Sequence, residues 1–289
     1  MSFNLLDPNF KFLLTGSTGQ VGHEILPLLK KISNVWAPSR SEFDLYDIAS
    51  LPNKVQQYKP NMIINLAAYT DVDGAELDIK SSNLINHLAP SVLAKEAKKL
   101  NIPLIHLSTD YVFDGKKGTS YTETDAPNPI NVYGQSKLEG EREIEKHHDK
   151  YLIIRTAWVY NKIKGKNFYR TIVDLCKIKD EINVVENEIG NPTSANFIAK
   201  KILNIITQIN DVETNKDKWG LFHLVEKDVM SRYDFACRIF SKIKNDPGIM
   251  TQNIKAIRNN EYKTIANRPE YSVLNTEKFY KTFVTNGKQ

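Results

Sequence analysis

Short apolar runs alternate along the first half of the chain with stretches whose apolar residues recur every three or four positions. The runs have the length and composition of buried strands and lie at 12–15, 34–37, 62–67, 104–107 and 151–156. The stretches with helical periodicity lie at 21–31, 86–100 and 133–148. This alternation predicts an α/β fold, with a Rossmann-type doubly wound parallel sheet over residues 1–160.

The alternation becomes less regular after residue 160. Helices are predicted at 168–177, 195–209 and 233–243, and the apolar run at 221–225 is predicted to return to the sheet as a late strand. No repeat, low-complexity tract or flexible linker is visible. We therefore expect residues 161–289 to form mostly a smaller, C-terminal substrate-binding lobe that packs on the first domain.

Composition narrows the class of protein. With 41% hydrophobic and 25% charged residues in 289, the chain reads as globular with an ample core. The net charge of +5 comes from interspersed Lys and Glu, so we expect no nucleic-acid partner. Cys176 and Cys237 are far apart and read as reduced thiols of a cytoplasmic protein. Asp7 and Lys11 interrupt the N-terminal region, and we expect neither a signal peptide nor a membrane span.

A glycine-rich turn joins the first predicted strand to the first predicted helix. Gly16, Gly19 and Gly22 occupy the positions that allow a tight turn, close approach of a pyrophosphate and close helix–strand packing. The strand–turn–helix context is the one that a dinucleotide-binding fingerprint requires, although the spacing is Gly-x-x-Gly-x-x-Gly. The sequence therefore predicts a nicotinamide dinucleotide site here.

The end of the second predicted strand bears on the choice of cofactor. NAD-selective Rossmann folds carry an acidic residue about twenty residues beyond the glycines, whereas this chain has Ser39 and Arg40. A guanidinium suits a 2′-phosphate, which favours NADPH over NADH. The alternative is that Arg40 is a solvated loop charge.

Tyr133 and Lys137 are four residues apart and share one face of a predicted helix. A lysine ammonium beside a phenol stabilises the phenolate, so we expect it to lower the pKa of Tyr133 and make that residue a proton donor near neutral pH. Thr109 ends the apolar run at 104–107 and its hydroxyl is expected at the same place. An isolated Tyr-x-x-x-Lys pair is a weak signal, because most such pairs are a half-buried ring and a solvated amine.

The chain resembles the extended short-chain dehydrogenase/reductases, most closely the branch that reduces the 4-keto group of a dTDP-linked 6-deoxy sugar. The matching segments run in family order over nearly the whole chain, at 16–22, 65–76, 108–115, 131–137, 155–160, 191–193 and 268–279. The pieces at 108–113 (STDYVF) and 155–160 (RTAWVY) are much more specific than the glycine turn or the Tyr/Lys pair.

The resemblance implies roles for individual residues. Those implied for the cofactor are Gly16, Thr18, Gly19, Gln20 and Val21 at the pyrophosphate, Ser39, Arg40, Asp44 and Leu45 at the adenosine, and Ala67, Ala68, Tyr69, Thr70, Tyr133 and Lys137 along the rest of it. Those implied for the sugar are Val72, Thr109, Asp110 and Trp158. Thr109 and Tyr133 would hydrogen-bond the keto oxygen, and Lys137 would bind the nicotinamide ribose. Some members carry magnesium at a dimer interface; Glu24 matches one ligand position, but we predict no metal.

The implied activity is NADPH-dependent reduction of a nucleotide-linked 4-keto sugar. The resemblance also implies a cytoplasmic enzyme, for which a homodimer is one possible assembly. Two alternatives remain open at this stage. One is a reductase or epimerase that acts on another nucleotide sugar. The other is a non-catalytic regulatory subunit, as in methionine adenosyltransferase, to which the resemblance also extends.

Overall fold

The structure is a computed structural model and describes residues 7, 9–209 and 216–284. Its strands are β1 Lys11–Thr15, β2 Asn34–Trp36, β3 Met62–Asn65, β4 Leu104–Thr109, β5 Tyr151–Thr156, β6 Val159–Tyr160, β7 Glu181–Val185, β8 Ile189–Gly190, β9 Thr193–Ser194, β10 Gly220–His223, β11 Met230–Ser231 and β12 Asn253–Ile257. Its helices are α1 Gln20–Leu29, α2 Leu51–Tyr58, α3 Val72–Leu77, α4 Ile79–Asn83, α5 Ala89–Leu100, α6 Val132–His147, α7 Phe168–Cys176, α8 Ala195–Gln208, α9 Arg232–Ile243 and α10 Glu277–Phe283. A π turn, Leu84–Leu88, leads into α5, and 3₁₀ turns lie at Asp110–Val112, Lys216–Lys218 and Asn259–Glu261.

Six parallel strands form the central sheet, in the order β10-β5-β4-β3-β1-β2. The chain runs outward from β1 to β2 and then crosses to the other side of β1 to form β3. The order therefore reverses between β1 and β3, and in sheets of this kind ligands bind outside the carboxyl ends of the strands at that point. The predicted α/β, Rossmann-type fold is confirmed.

Alternate residues of the sheet strands face two helical layers, as the two-residue period of a strand requires. Leu14 and Ile64 belong to a buried cluster with α1, α8 and α10. Leu13 and Ile63 belong to a second cluster with α2 and α5 on the opposite face. Because both faces are covered, the strands are apolar without alternation, which is why the sequence shows them as continuous runs.

The C-terminal part adds a second, smaller core. The parallel pair β7 and β12 packs with α7 and α9 around Ile182, Phe235 and Ile254. The segment β10 belongs instead to the central sheet, where it pairs with β5. Among the described residues, no helix is long and apolar enough to cross a bilayer; the N-terminal stretch considered above for a signal peptide lies mostly outside the described residues.

Helix α6, which carries Tyr133 and Lys137, lies unusually close to its neighbours. A Cβ placed on Gly140 would be 2.1 Å from the backbone oxygen of Asn86 in the π turn. Farther up the helix, a Cβ on Gly134 would be 2.1 Å from the backbone oxygen of Tyr111. Both distances are far below van der Waals contact, so these two glycines fix how deeply the helix sits.

We expect Gly140→Ala to destabilise the protein by about 1–3 kcal/mol, the usual cost of overpacking. Helix propensity alone predicts the opposite sign, a gain of about 1 kcal/mol. The measurement is urea unfolding of the variant beside Gln135→Ala, a control at an exposed position of the same helix. A Gly140→Ala protein as stable as the control would show that α6 can move outward without cost.

Candidate active site

One cavity of about 640 Å³ opens at the carboxyl edge of the sheet, where the strand order reverses. Nearly all of the site residues expected from the sequence line it: Gly16, Thr18, Gly19, Gln20, Val21, Ser39, Arg40, Asp44, Leu45, Ala67, Ala68, Thr70, Val72, Thr109, Asp110, Tyr133, Lys137 and Trp158. These residues come from segments up to 142 positions apart, from Gly16 to Trp158, and the fold brings them to one place.

Tyr69 is the exception and does not line the cavity. Its backbone N–H donates to the side-chain oxygen of Asn86 at 2.8 Å, and its carbonyl accepts from the same amide at 3.0 Å. These two bonds anchor the loop after β3 to the π turn. The structure therefore gives Tyr69 a part in holding that loop, and the cofactor contact expected from the sequence stays a prediction.

The glycine turn leaves backbone donors available to an anion. Gly16 has a φ of +70°, and the N–H of Gly19 closes the turn on its carbonyl at 3.0 Å. A Cβ on Gly22 would lie 2.1 Å from that same carbonyl, so α1 must pack directly on the turn. Gly19 begins α1 without a side-chain cap. Because the first N–H groups of such a helix have no intrahelical partner, this end suits a phosphate.

The far end of the cavity carries mixed charge. Arg40 is 73% exposed, lies 3.9 Å from the Asp44 carboxylate and covers the Tyr46 ring at 4.8 Å. The Glu42 carboxylate accepts from both the backbone N–H and the hydroxyl of Ser39, each at 2.7 Å. The guanidinium is free enough to reach a 2′-phosphate, whereas Glu42 brings a negative charge to the same loop.

Tyr133 and Thr109 meet in the middle of the cavity. Asn131 caps α6 by accepting from the Gly134 N–H at 2.7 Å, which fixes where the helix begins and so where the phenol lies. Burial raises the pKa of Tyr133 above its ordinary value, and the neighbouring Thr109 hydroxyl only partly opposes this.

Lys137 points its amine into the protein. The Nζ atom donates to the Leu107 carbonyl at 2.7 Å and lies 3.0 Å from Nε2 of His106, and the side chain is 1% exposed. Burial lowers the pKa of Lys137 to about 8, and the charge of Glu141 opposes that shift. The expectation that Lys137 lowers the pKa of Tyr133 is therefore wrong for the protein without cofactor, because the amine is bonded to β4.

Asp110 is a buried carboxylate with an unused oxygen. Its Oδ1 accepts from the Thr109 hydroxyl at 3.1 Å, and its Oδ2 has no hydrogen-bond partner among the described residues. Burial raises the pKa of Asp110 to about 6. An acceptor of this kind on the cavity wall suits a ligand hydroxyl.

Several cavity residues were not anticipated from the sequence. Arg232 stacks on the Trp158 indole at 3.6 Å and pairs with Glu188 at 3.5 Å. Asn167, which lies beside Lys166 at the rim, donates to the Gln20 side chain at 2.9 Å. Both come from the second half of the chain, where no local motif marks them. Among the described residues, no three His, Cys, Asp or Glu side chains gather as a metal site.

We expect the free energy of unfolding of Asp110→Asn, relative to that of the native protein, to increase as pH rises. The folded pKa of about 6 lies above the ordinary aspartate value of 3.8, so ionisation destabilises the fold progressively from about pH 4 to pH 6. The difference in free energy of unfolding between the variant and the native protein should be about 3 kcal/mol more favourable to the variant at pH 7 than at pH 3.5, measured by urea unfolding.

Asp114→Asn provides the control of opposite sign. Hydrogen bonds, first from the Lys116 N–H, lower the pKa of Asp114. Its ionised form therefore stabilises the fold at neutral pH, and the variant should lose stability there and lose less in acid. If both variants respond to pH in the same direction, the buried environment of Asp110 is not what the geometry indicates.

Known proteins resemble this chain over nearly its full length. The RmlD substrate binding domain family matches residues 10–289. A curated dTDP-4-dehydrorhamnose reductase of Aggregatibacter actinomycetemcomitans is 37% identical over 281 residues, which cover 94% of this chain and 93% of that protein.

Solved structures agree with the sequence match. A dTDP-4-dehydrorhamnose reductase from Clostridium acetobutylicum superposes with a TM-score of 0.86 at 36% identity, covering 94% of this chain and 92% of that one. A dTDP-4-dehydrorhamnose reductase from Bacillus anthracis, solved in complex with NADP, superposes with a TM-score of 0.85 at 31% identity and the same coverage. The chain therefore belongs to the RmlD substrate binding domain family.

Proposed function

We propose that this protein is an NADPH-dependent oxidoreductase that reduces the 4-keto group of a nucleotide-linked 6-deoxy sugar. The substrate that fits best is dTDP-4-dehydro-L-rhamnose, and the product is dTDP-L-rhamnose, a precursor of cell-surface polysaccharide. One observation carries the proposal: Thr109, Tyr133 and Lys137 lie in the same cavity as an uncapped glycine turn. The names of the relatives, and the NADP found in one of their structures, support it.

The proton donor is Tyr133. When bound, NADPH supplies the hydride that reduces the C4 carbonyl. Thr109 and Tyr133 line the same cavity, and together they present two hydroxyls to a keto oxygen. The raised pKa of Tyr133 keeps the phenol protonated until negative charge develops on that oxygen, and the phenol then gives up its proton.

In this mechanism Lys137 orients the cofactor. Its amine uses the Leu107 carbonyl and His106 on one side, and the side chain also lines the cavity, where a ribose hydroxyl can be bound. When charged, the amine can donate to that ribose hydroxyl, and because it lies one helical turn from Tyr133 it holds the cofactor beside the phenol. Asp110 and Trp158 face the sugar in this arrangement, and Val72 borders it.

The proposal extends to organisation and setting. Residues 1–160, with β10, form the dinucleotide-binding part, and residues 161–289 form mostly the substrate-binding lobe. We place the enzyme in the cytoplasm, where cysteines such as the unpaired Cys176 and Cys237 stay reduced. A homodimer remains a prediction from the family resemblance.

We expect Tyr133→Phe to lower turnover by about 10²–10⁴-fold, the usual contribution of a general acid, and to leave NADPH affinity nearly unchanged. The assay follows NADPH absorbance with dTDP-4-dehydro-L-rhamnose, and Tyr169→Phe, outside the cavity, is the matched control. Turnover by Tyr133→Phe equal to that of the control would remove the phenol from the mechanism. No turnover by the native protein on a panel of nucleotide keto-sugars, together with co-purification of a synthetase, would favour the regulatory-subunit alternative.

We expect Arg40→Ala to raise the KM for NADPH at least about tenfold and to leave the KM for NADH nearly unchanged, because charge-assisted bonds to a 2′-phosphate are lost. Arg142→Ala, which removes an exposed arginine from α6, controls for net charge. An equal effect on both cofactors would mean that Arg40 is the solvated loop charge.

A further inference from the structure

A line of buried hydrogen bonds runs from the amine of Lys137 across three strands of the sheet. From Lys137 it passes to Nε2 of His106 on β4 at 3.0 Å, and Nδ1 of that ring lies 3.0 Å from the side-chain nitrogen of Asn65 on β3. The Asn65 oxygen accepts from the Thr15 hydroxyl on β1 at 2.5 Å. Each of the four residues is 3% exposed or less. Lys137 and Thr15 also reach the cavity wall, whereas His106 and Asn65 are enclosed in the protein, so the donors and acceptors of these two must match those of their neighbours.

The placement of the amide fixes the protons. Thr15 donates to the Asn65 oxygen, so the Asn65 nitrogen donates to Nδ1 of His106. A neutral imidazole that accepts at Nδ1 carries its proton on Nε2. That proton points at Lys137, which must then accept it as an uncharged amine.

A charged Lys137 requires the opposite arrangement. An ammonium has only donors, so Nε2 of His106 must accept and the ring proton must sit on Nδ1. The Asn65 amide then turns over, so that its oxygen accepts from Nδ1 and its nitrogen faces Thr15. The net change is the uptake of one proton by Lys137; the imidazole stays neutral and its single proton changes nitrogen.

We propose that His106 is a positioning residue whose tautomer, selected through Asn65 and Thr15, is coupled to the charge of Lys137. The consequence for the reaction rests on the proposed function, because that function is what requires a charged amine beside Tyr133. The coupling itself rests on the hydrogen bonds alone. His106 touches neither the cavity nor a reacting atom, and it acts only through Lys137.

The charged and titratable groups around the amine leave the coupling intact. Burial lowers the pKa of Lys137 to about 8 and holds the pKa of His106 well below its usual value, so the amine titrates while the ring stays neutral. Glu141, one turn along α6, favours the charged amine but is itself held by Arg155 of β5 at 2.6 Å. Tyr133 lies one turn earlier on α6, and Asp110 follows β4; both face the cavity.

The direct test is ¹⁵N NMR of the histidine-labelled protein without cofactor, from pH 6.5 to 9.5. We expect the His106 signals to remain those of a neutral ring and to change from the Nδ1–H to the Nε2–H tautomer around pH 8. In Lys137→Met the change should disappear. A native protein that keeps one tautomer throughout, or a change that persists in Lys137→Met, would overturn the proposal. Neither result depends on turnover, so a failure here is distinct from a failure of the proposed function.

A second test measures how the dissociation constant of NADP⁺ depends on pH. His106→Phe removes a hydrogen-bond acceptor of the Lys137 ammonium and so favours the neutral amine. The pH above which NADP⁺ binding weakens should therefore fall by about one unit, which is a tenfold change in the ratio of charged to neutral Lys137. His106→Gln, whose amide oxygen can accept, should restore most of the shift. His223→Phe is the control. His223 is equally buried, its Nδ1 atom bonds to the Tyr121 carbonyl, and its Nε2 atom has no hydrogen-bond partner among the described residues. If both His106 variants bind NADP⁺ more weakly but the pH above which binding weakens does not change, the role of His106 is merely structural.

Discussion

Lys137 carries its amine into the interior between α6 and β4, and most of the site follows from how that burial is made tolerable. A desolvated ammonium needs hydrogen-bond acceptors at fixed positions, and here they are the Leu107 carbonyl and the ring of His106. To reach them, α6 must lie against β4 and the π turn, which Gly134 and Gly140 permit. The same close packing carries Tyr133 to the Thr109 hydroxyl. The catalytic geometry is therefore a by-product of the helix position that the lysine demands.

The sheet supplies the other half of the arrangement. Reversal of strand order between β1 and β3 opens the carboxyl edge, and the glycine turn after β1 brings an uncapped helix end to it. The β4 strand then continues past the end of β3 to Thr109, where it is still paired with β5. The glycine turn and the Tyr133 phenol thus line one cavity because β1 and β4 lie in one sheet, two strands apart.

Features encoded locally could be predicted from the sequence, and features that depend on distant neighbours could not. The strands from β1 to β5 were recognisable because burial on both faces makes them apolar runs, and the turn at Gly16 because its spacing is local. The pair β7 and β12 was not predicted, since the strands are 67 residues apart and individually unremarkable. Helical spacing suggested that Lys137 acts on Tyr133, but it carries no information about β4, where the amine is actually bonded. Likewise, nothing in the run 104–107 indicates that His106 does more than pack within a buried strand.

A stack of side chains from the second half of the chain borders the site. Trp158 has a φ of +46°, its indole lies so close to Gly190 that a Cβ there would be 2.6 Å from the ring, and Arg232 lies over the indole at 3.6 Å. Arg232 begins α9, the helix at the centre of the smaller core, and Glu188 beside β8 holds its guanidinium. A displacement of that core would therefore move the arginine and the indole together, and with them part of the cavity wall. The shape of this part of the cavity is in this way coupled to the packing of the smaller core, whereas the positions of Tyr133 and Thr109 depend on the sheet and α6.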